Sequence, residues 1–313
     1  MKISGFSFVR NGTKLYYPVK ESVQSILPIV DEFVIAVGNS DADDKSREDI
    51  LSIGSDKVRI IDTVWDEKFM QKGAIHALQT DIAMNACSGD WLFYLQADEV
   101  VHENDLPVIE SRCKEFLDDD EVEGFLFDYY HFWADYEHYH KSHGWYPYEV
   151  RIVRNNPKIH SWESAQSFRY FEHYEKPHQN EGTRKLRVVK ANANIYHYGW
   201  VRPPELMQAK SKAIDSNHKG IEKANELYIN KPKEFDYGPL NRVQKFEGTH
   251  PKVMKNMIQR HHWKDKLQYS GAPDAQREPH MHEKFKYRLV TFIENKILNR
   301  PVATFKNFEL LNK

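Results

Sequence analysis

The chain has 313 residues and only two cysteines, Cys87 and Cys113, which form no CxxC pair. That excludes a disulfide-stapled scaffold and a thiolate zinc ribbon, and predicts a reduced, cytoplasmic setting. No run of about 18 apolar residues occurs, so no transmembrane helix is expected. The opening "MKISGFSFVRNG" lacks the long apolar core of a signal peptide. A surplus of one charge is missing too. Lysine and arginine total 44 against 46 aspartates and glutamates, a net charge of −2. No whole-surface field draws the protein to nucleic acid, and no nucleic-acid partner is expected. Three phosphate- and acyl-chemistry motifs are absent as well. Without GxxxxGK[ST] a P-loop is excluded; without GxGxxG after the first strand, a dinucleotide oxidoreductase; without GxSxG, a nucleophile elbow.

What the chain does have is apolar and aromatic mass: 40% hydrophobic residues, with 17 Tyr, 17 Phe and 7 Trp. Most of these fill a core, and some are suited to line a concave site for planar or sugar-like ligands. The first hundred residues alternate strand and helix signals. "KISGFSFV", "EFVIAVG", "KVRIID" and "WLFYL" are short apolar runs, as in strands buried on both faces. Between them, "YPVKESVQSILPIV", "DADDKSREDILSIG" and "KGAIHALQTDIAMNACSG" carry apolar residues at helical spacing. This order predicts a Rossmann-like α/β fold, its sheet mainly parallel with helices on both faces. A helix fits 103–117. "FLFDYYHFW" and "YEVRIVRN" read as strands of a later, partly antiparallel part, and "LRVVKANANIYHYGW" as a pair of short strands. From Pro203 the chain turns helical and charged, then irregular over 231–282, then helical again in "KFKYRLVTFIENKIL". The expected division is 1–202 for the sheet domain and 203–313 for a mostly helical C-terminal extension packed on it.

In "GDWLFYLQADEVVHENDL" the fourth strand ends abruptly at Gln96-Ala97-Asp98-Glu99. In parallel sheets ligands bind at the carboxyl ends of strands. A carboxylate there can hold a hard divalent cation that bridges to phosphate oxygens. The same acids also suit the cap of the helix that follows. Arg10 and Asn39 likewise fall just after strands, so all three share one sheet edge. The loop "NSDADD" follows the second strand, the third helix carries Gln79, Asp81 and Asn85, and "NIYHYGWVRPP" supplies His197 and Arg202. Imidazole is a metal ligand and guanidinium a diphosphate partner.

These segments, in this order, resemble the family 2 glycosyltransferases of the A-type nucleotide-diphospho-sugar fold. The match rests on "FVRNG", "DEFVIAVGNSDADD", "ACSGDW" and "WLFYLQADE"; it is good over 1 to about 105 and looser to about 202. The resemblance implies an inverting hexosyltransferase of the kind found in polysaccharide biosynthesis, with Mn2+ or Mg2+ as cofactor. It implies a nucleotide-diphosphate sugar donor and a saccharide or lipid-linked acceptor. It places Asp98 and His197 as metal ligands. Arg10, Asn39, Asp41, Asp43, Gln79, Gln96, Ala97 and Arg202 fall to nucleotide binding, and Asp44 belongs to the same loop. Gln96 stands where the family's motif has its first Asp, so this chain departs there by one charge. The general base that takes the acceptor proton falls to Glu163 in "SWESAQSF", with Asp128 and Glu149 as rivals.

Two other readings stay open. One is a noncatalytic protein that binds a nucleotide sugar or glycan on the same scaffold, to which the Gln96 departure points. The other is a metal hydrolase built on His138, His140 and His143 in "YYHFWADYEHYHKSHGWYPYE", a spacing that matches no standard zinc site. The C-terminal helix carries Tyr287, Leu289, Phe292, Ile293 and Ile297 among lysines. It is expected to pack on the domain or form a homodimer, with peripheral contact to a membrane surface as an alternative.

Overall fold

The computed structural model describes residues 1–302 and 305–313. The first part follows the alternation read from sequence: β1 (Ile3–Val9), α1 (Val19–Ile26), β2 (Glu32–Val37), α2 (Ser46–Leu51), β3 (Val58–Asp62), α3 (Ala74–Asn85) and β4 (Trp91–Tyr94). These four strands pair in parallel in the order β3-β2-β1-β4. Side chains alternate across the pleat, so each strand feeds two cores. On one face Ile3, Phe33, Ile35 and Phe93 pack against Val19, Val23 and Ile26 of α1 and Ile50 of α2. On the other, Phe6, Val34, Ala36 and Leu92 pack against Ala83 and Met84 of α3. Helices therefore cover both faces.

The rest of the sheet is partly antiparallel, as read for "FLFDYYHFW" and "YEVRIVRN", and to an extent that makes the whole mixed rather than mainly parallel. It is built from β5 (Glu99–Val101), α4 (Leu106–Glu115), β6 (Gly124–Trp133), β7 (His138–His140), β8 (Tyr148–Arg154), β9 (Ile159–Trp162), β10 (Ser167–Phe171) and β11 (Thr183–Trp200). Strand β8 inserts between β4 and β6, antiparallel to both. The link from β6 to β8 contains no crossover helix, and without one a parallel return is not available. The hairpin β9–β10 adds antiparallel to β11. The sheet is thus mixed. "LRVVKANANIYHYGW" is not two strands but part of one long strand, β11. Its irregularity is absorbed by register shifts between Lys190 and Asn194 and between His197 and Trp200.

After β11 come α5 (Pro204–Lys219) and α6 (Ile221–Tyr228), separated at Gly220, whose φ of 90° is open to glycine and strained for other residues. The stretch to residue 284 holds β12 (Gln244–Lys245), α7 (Lys255–Gln259) and isolated 3-10 turns, and α8 (Phe285–Phe292) follows. The last strand, β13 (Phe308–Leu310), returns to the sheet beside β11. On α8, Phe285, Leu289 and Phe292 remain exposed rather than packed on the domain. No helix among the described residues is long and apolar enough to cross a membrane.

Candidate active site

Strand β1 sends the chain to β2 on one side and has β4 on the other, so the carboxyl ends of β1 and β4 flank a topological switch point, where open α/β sheets bind ligands. A cavity of about 500 Å³ opens there. Phe8, Trp65, His76, Tyr17 and Trp200 supply aromatic wall. The polar groups at its base come from four distant segments.

The adjacent acids after β4 face opposite ways. Glu99 turns into the protein and accepts two bonds from Arg151, to Nε and Nη2, both at 2.7 Å. It also accepts the Tyr129 hydroxyl at 2.8 Å and the Gln96 amide N–H at 3.0 Å. Asp98 turns into the cavity. Its Oδ2 accepts from Nζ of Lys210 on α5 at 2.9 Å, and the same ammonium donates to the Gly199 carbonyl at 2.7 Å. Both Asp98 and Lys210 are buried. Burial works to raise the Asp98 carboxyl, but Lys210, His197 and Arg202 together hold it well below the usual carboxylate range. Burial and Arg202 bring Lys210 down to about 8 against the pull of Asp98, so the ammonium is charged at neutral pH.

His197 sits beside this pair, its Nε2 3.7 Å from Asp98 Oδ2. The tautomer follows from a relay. The Tyr146 carbonyl can only accept, so His131 Nε2, 2.7 Å away, carries the hydrogen. His131 is held neutral, near 3, by burial. Its Nδ1 then accepts from His197 Nδ1–H at 2.9 Å. His197, brought down to about 4 by burial against the opposing effect of Asp98, is neutral and presents a lone pair at Nε2. A Cβ on Gly199 would collide with His197 Nε2 and Asp98 Oδ2. Glycine there leaves open the space in which the imidazole, the carboxylate and the ammonium meet.

Arg202 is fully buried. Its Nη1 donates to the Leu15 carbonyl at 2.7 Å, while Nε and Nη2 make no hydrogen bond among the described residues. Its guanidinium and the Lys210 ammonium both lie over the Tyr17 ring, at 4.6 and 4.7 Å. Lys210 contacts the Asp98 carboxylate directly, and Arg202 acts on it through its charge without lining the cavity.

Of the residues nominated from sequence, Arg10, Gln96, Ala97, Asp98 and His197 line the cavity. Gln96 donates from Nε2 to the Ala165 carbonyl at 3.1 Å, which fastens the end of β4 to the turn 163–165. Asn39 does not line the cavity but clamps two residues that do. It accepts from the Trp65 N–H at 2.9 Å through its side chain, and from Arg10 Nε at 3.2 Å through its carbonyl. Asp41 and Asp43 lie away from the cavity, paired with Lys14 at the surface. Asp44 binds the Thr13 hydroxyl and the backbone of Lys14 and Ser46. Gln79 is buried behind the sheet edge, accepting from the Thr63 hydroxyl. Asp81 joins α3 to β9 through Ser161 N–H and His160. Glu163 stands in the β9–β10 turn with φ 58°, next to Ser164, which lines the cavity. Its Oε2 is 2.6 Å from Nδ1 of His178. Asp128 pairs with Lys190, and Glu149 is buried near Arg151. The three histidines of the aromatic run go separate ways: His138 to Asp135, His140 onto Trp145, His143 to Glu294. No group of three or more His, Cys, Asp or Glu able to hold a metal exists among the described residues.

Lys210 was not nominated from sequence, though a signal was present. In "PELMQAKSKAIDSNHKGI" it lies three residues after Met207 and three before Ala213, on the apolar stripe of the helix. A lysine at a core position is buried only where something pairs with it.

Whether a divalent cation fits can be judged from the donors. Mg2+ and Mn2+ favour several hard oxygen ligands. Here Asp98 is the one carboxylate lining the cavity. It is already bound by Lys210, with Arg202 acting on it as well. A further 2+ charge would stand among uncompensated cations. The side chains as placed do not fit the cation implied by the resemblance.

No protein-family model and no curated protein matches the chain. Solved structures resembling it include glucosyl-3-phosphoglycerate synthase from Mycobacterium tuberculosis, in complex with Mn2+, uridine diphosphate and phosphoglyceric acid, and again with Mg2+ and uridine diphosphate. Both are 17% identical over 42% of this chain and 43% of the other, with a TM-score of 0.28. The match spans under half of either chain, and a likeness this slight carries neither fold nor function.

Proposed function

We propose that the protein is an inverting glycosyltransferase that uses a nucleoside-diphosphate sugar. The observation that carries the proposal is the buried Lys210 ammonium held on Asp98 at the switch point, lining an aromatic-walled cavity together with Arg10. An ammonium with a hydrogen to spare beside a guanidinium calls for an anion with several oxygens, and guanidinium matches phosphate geometry. The aromatic wall and Arg10 at the rim suit the nucleoside and sugar that such a diphosphate would bear. The order of strands and helices in residues 1–105 supports the same reading.

In this proposal the acceptor hydroxyl attacks the anomeric carbon from the face opposite the diphosphate. The bond from that carbon to the β-phosphate oxygen breaks, its electron pair stays on the diphosphate, and the hydroxyl proton passes to a carboxylate base. Glu163 is the proposed base, with His178 as the group that orients it. The acceptor is a saccharide hydroxyl, free or lipid-linked; in the second case the exposed α8 stripe is the face for the membrane. Calorimetric titration of UDP and GDP, followed by a donor-sugar screen, tests the reading. Glu163→Gln is expected to leave nucleotide affinity within about twofold and to lower turnover by 10²-fold or more. Nucleotide binding with no turnover of any donor would instead favour the noncatalytic binding protein.

A further inference from the structure

The donor reading leaves open what neutralises the charge that builds on the departing diphosphate, and the geometry points to the Lys210 ammonium, backed by Arg202, in place of a divalent cation. This rests on the proposed use of a nucleoside diphosphate. Three observations converge on it. Lys210 Nζ is within hydrogen-bonding distance of Asp98 Oδ2 and the Gly199 carbonyl, so two acceptors fix its position and its third hydrogen is left for a ligand. It lines the cavity along with Asp98, His197 and Arg10. Arg202, fully buried outside the cavity lining, adds a second positive charge behind the Tyr17 ring.

The ammonium also stands on the carboxylate that a metal would need. Lysine brings one positive charge to the diphosphate without demanding a coordination shell, and Asp98 serves to hold the ammonium in place. As the anomeric carbon–oxygen bond breaks, the pair of electrons left on the diphosphate meets Lys210, and the acceptor proton goes to Glu163. Preorganised charge of this kind, in a water-poor site, costs no reorganisation during the reaction.

The test is calorimetric titration of inorganic pyrophosphate, UDP and GDP into wild type and Lys210→Met, each in EDTA and again in MnCl2. The expected result is wild-type binding of pyrophosphate and of one nucleotide in EDTA, changed less than about twofold by manganese, with a loss of tenfold or more in Lys210→Met that manganese does not restore. Wild-type binding that appears only with manganese would overturn the inference and keep the donor reading. So would Lys210→Met binding as tightly as wild type in EDTA. Metal-free, Lys210-dependent binding of pyrophosphate with no binding of either nucleotide would overturn the inference for uridine and guanosine donors and leave only an anion site at Lys210. Absence of all three would remove both. The wild-type arms decide the metal question even if the variant does not fold, and Lys210→Arg, which keeps the charge, is expected to retain at least part of the metal-free affinity.

Discussion

Two buried ion pairs begin one residue apart in sequence, at Asp98 and at Glu99, and they are built to opposite specifications. The Glu99–Arg151 pair is closed. Its geometry is bidentate, a tyrosine hydroxyl and a backbone N–H complete the carboxylate, and the guanidinium also donates to the Val150 and Gln166 carbonyls. The Asp98–Lys210 pair is open. One oxygen meets one ammonium, both line a cavity, and a second cation is buried behind them. A closed pair fixes strands to one another, here the start of β5 to β8. An open pair with surplus charge stores the capacity to bind. The contrast separates structure from function more sharply than burial does, since all four side chains are buried.

The comparison can be broken at its strong end first. Arg151→Met leaves Glu99 buried without its partner and is expected to cost about 3–5 kcal/mol of stability, read from the midpoint of urea unfolding. A loss below about 1 kcal/mol would mean that the closed pair does not hold the strands together. Next in size is a pH effect at the same centre. Burial raises the Glu149 carboxyl from its ordinary 4.5 to about 7, against the pull of Arg151. A group whose folded pKa is raised contributes stability that is complete below its unfolded pKa and is lost as pH rises through the folded one. Wild type should therefore lose on the order of 3 kcal/mol between about pH 4.5 and pH 8 through this group, and Glu149→Gln should flatten that slope in denaturation curves taken across the window. A parallel slope in both proteins would remove the assignment.

Lys210→Met should cost less than either, under about 2 kcal/mol, because it also relieves the repulsion between Lys210 and Arg202. A cost equal to that of Arg151→Met would show the cavity pair to be structural after all. Smallest of all are Asp41→Asn and Asp43→Asn. Their exposed pairs with Lys14 lie outside the cavity, so unfolding midpoints and nucleotide affinity should both stay at wild-type values. A tenfold loss of affinity in either would place that loop on the ligand.

What could be read from the chain beforehand follows the same divide. The parallel strands β1 to β4 and their helices were legible because continuous apolar runs alternating with amphipathic ones leave few other arrangements. The switch-point site followed, with Arg10, Gln96, Ala97 and Asp98 at its strand ends and His197 opposite. The antiparallel β8 insertion was not legible, since "YEVRIVRN" shows a strand but nothing of which neighbours it takes. Nor was Lys210. Pairing it with Asp98 requires contact across 112 residues, and local pattern shows only that a lysine sits on the wrong face of a helix. Asp41, Asp43 and Gln79 were misleading for the converse reason: polar residues near a strand end look alike whether they face the ligand or a neighbouring backbone.

The distance between Asp98 and Lys210 along the chain also sets an order of events during synthesis. When the ribosome has released the first 202 residues, the sheet can assemble, yet Asp98 would be a lone acid in a half-formed cleft. The ammonium that answers it arrives with α5, and β13 joins the sheet later still. A chain that stops short of α5 therefore lacks the Lys210 ammonium, and fragments ending near 202 are expected to bind pyrophosphate more weakly than the full chain.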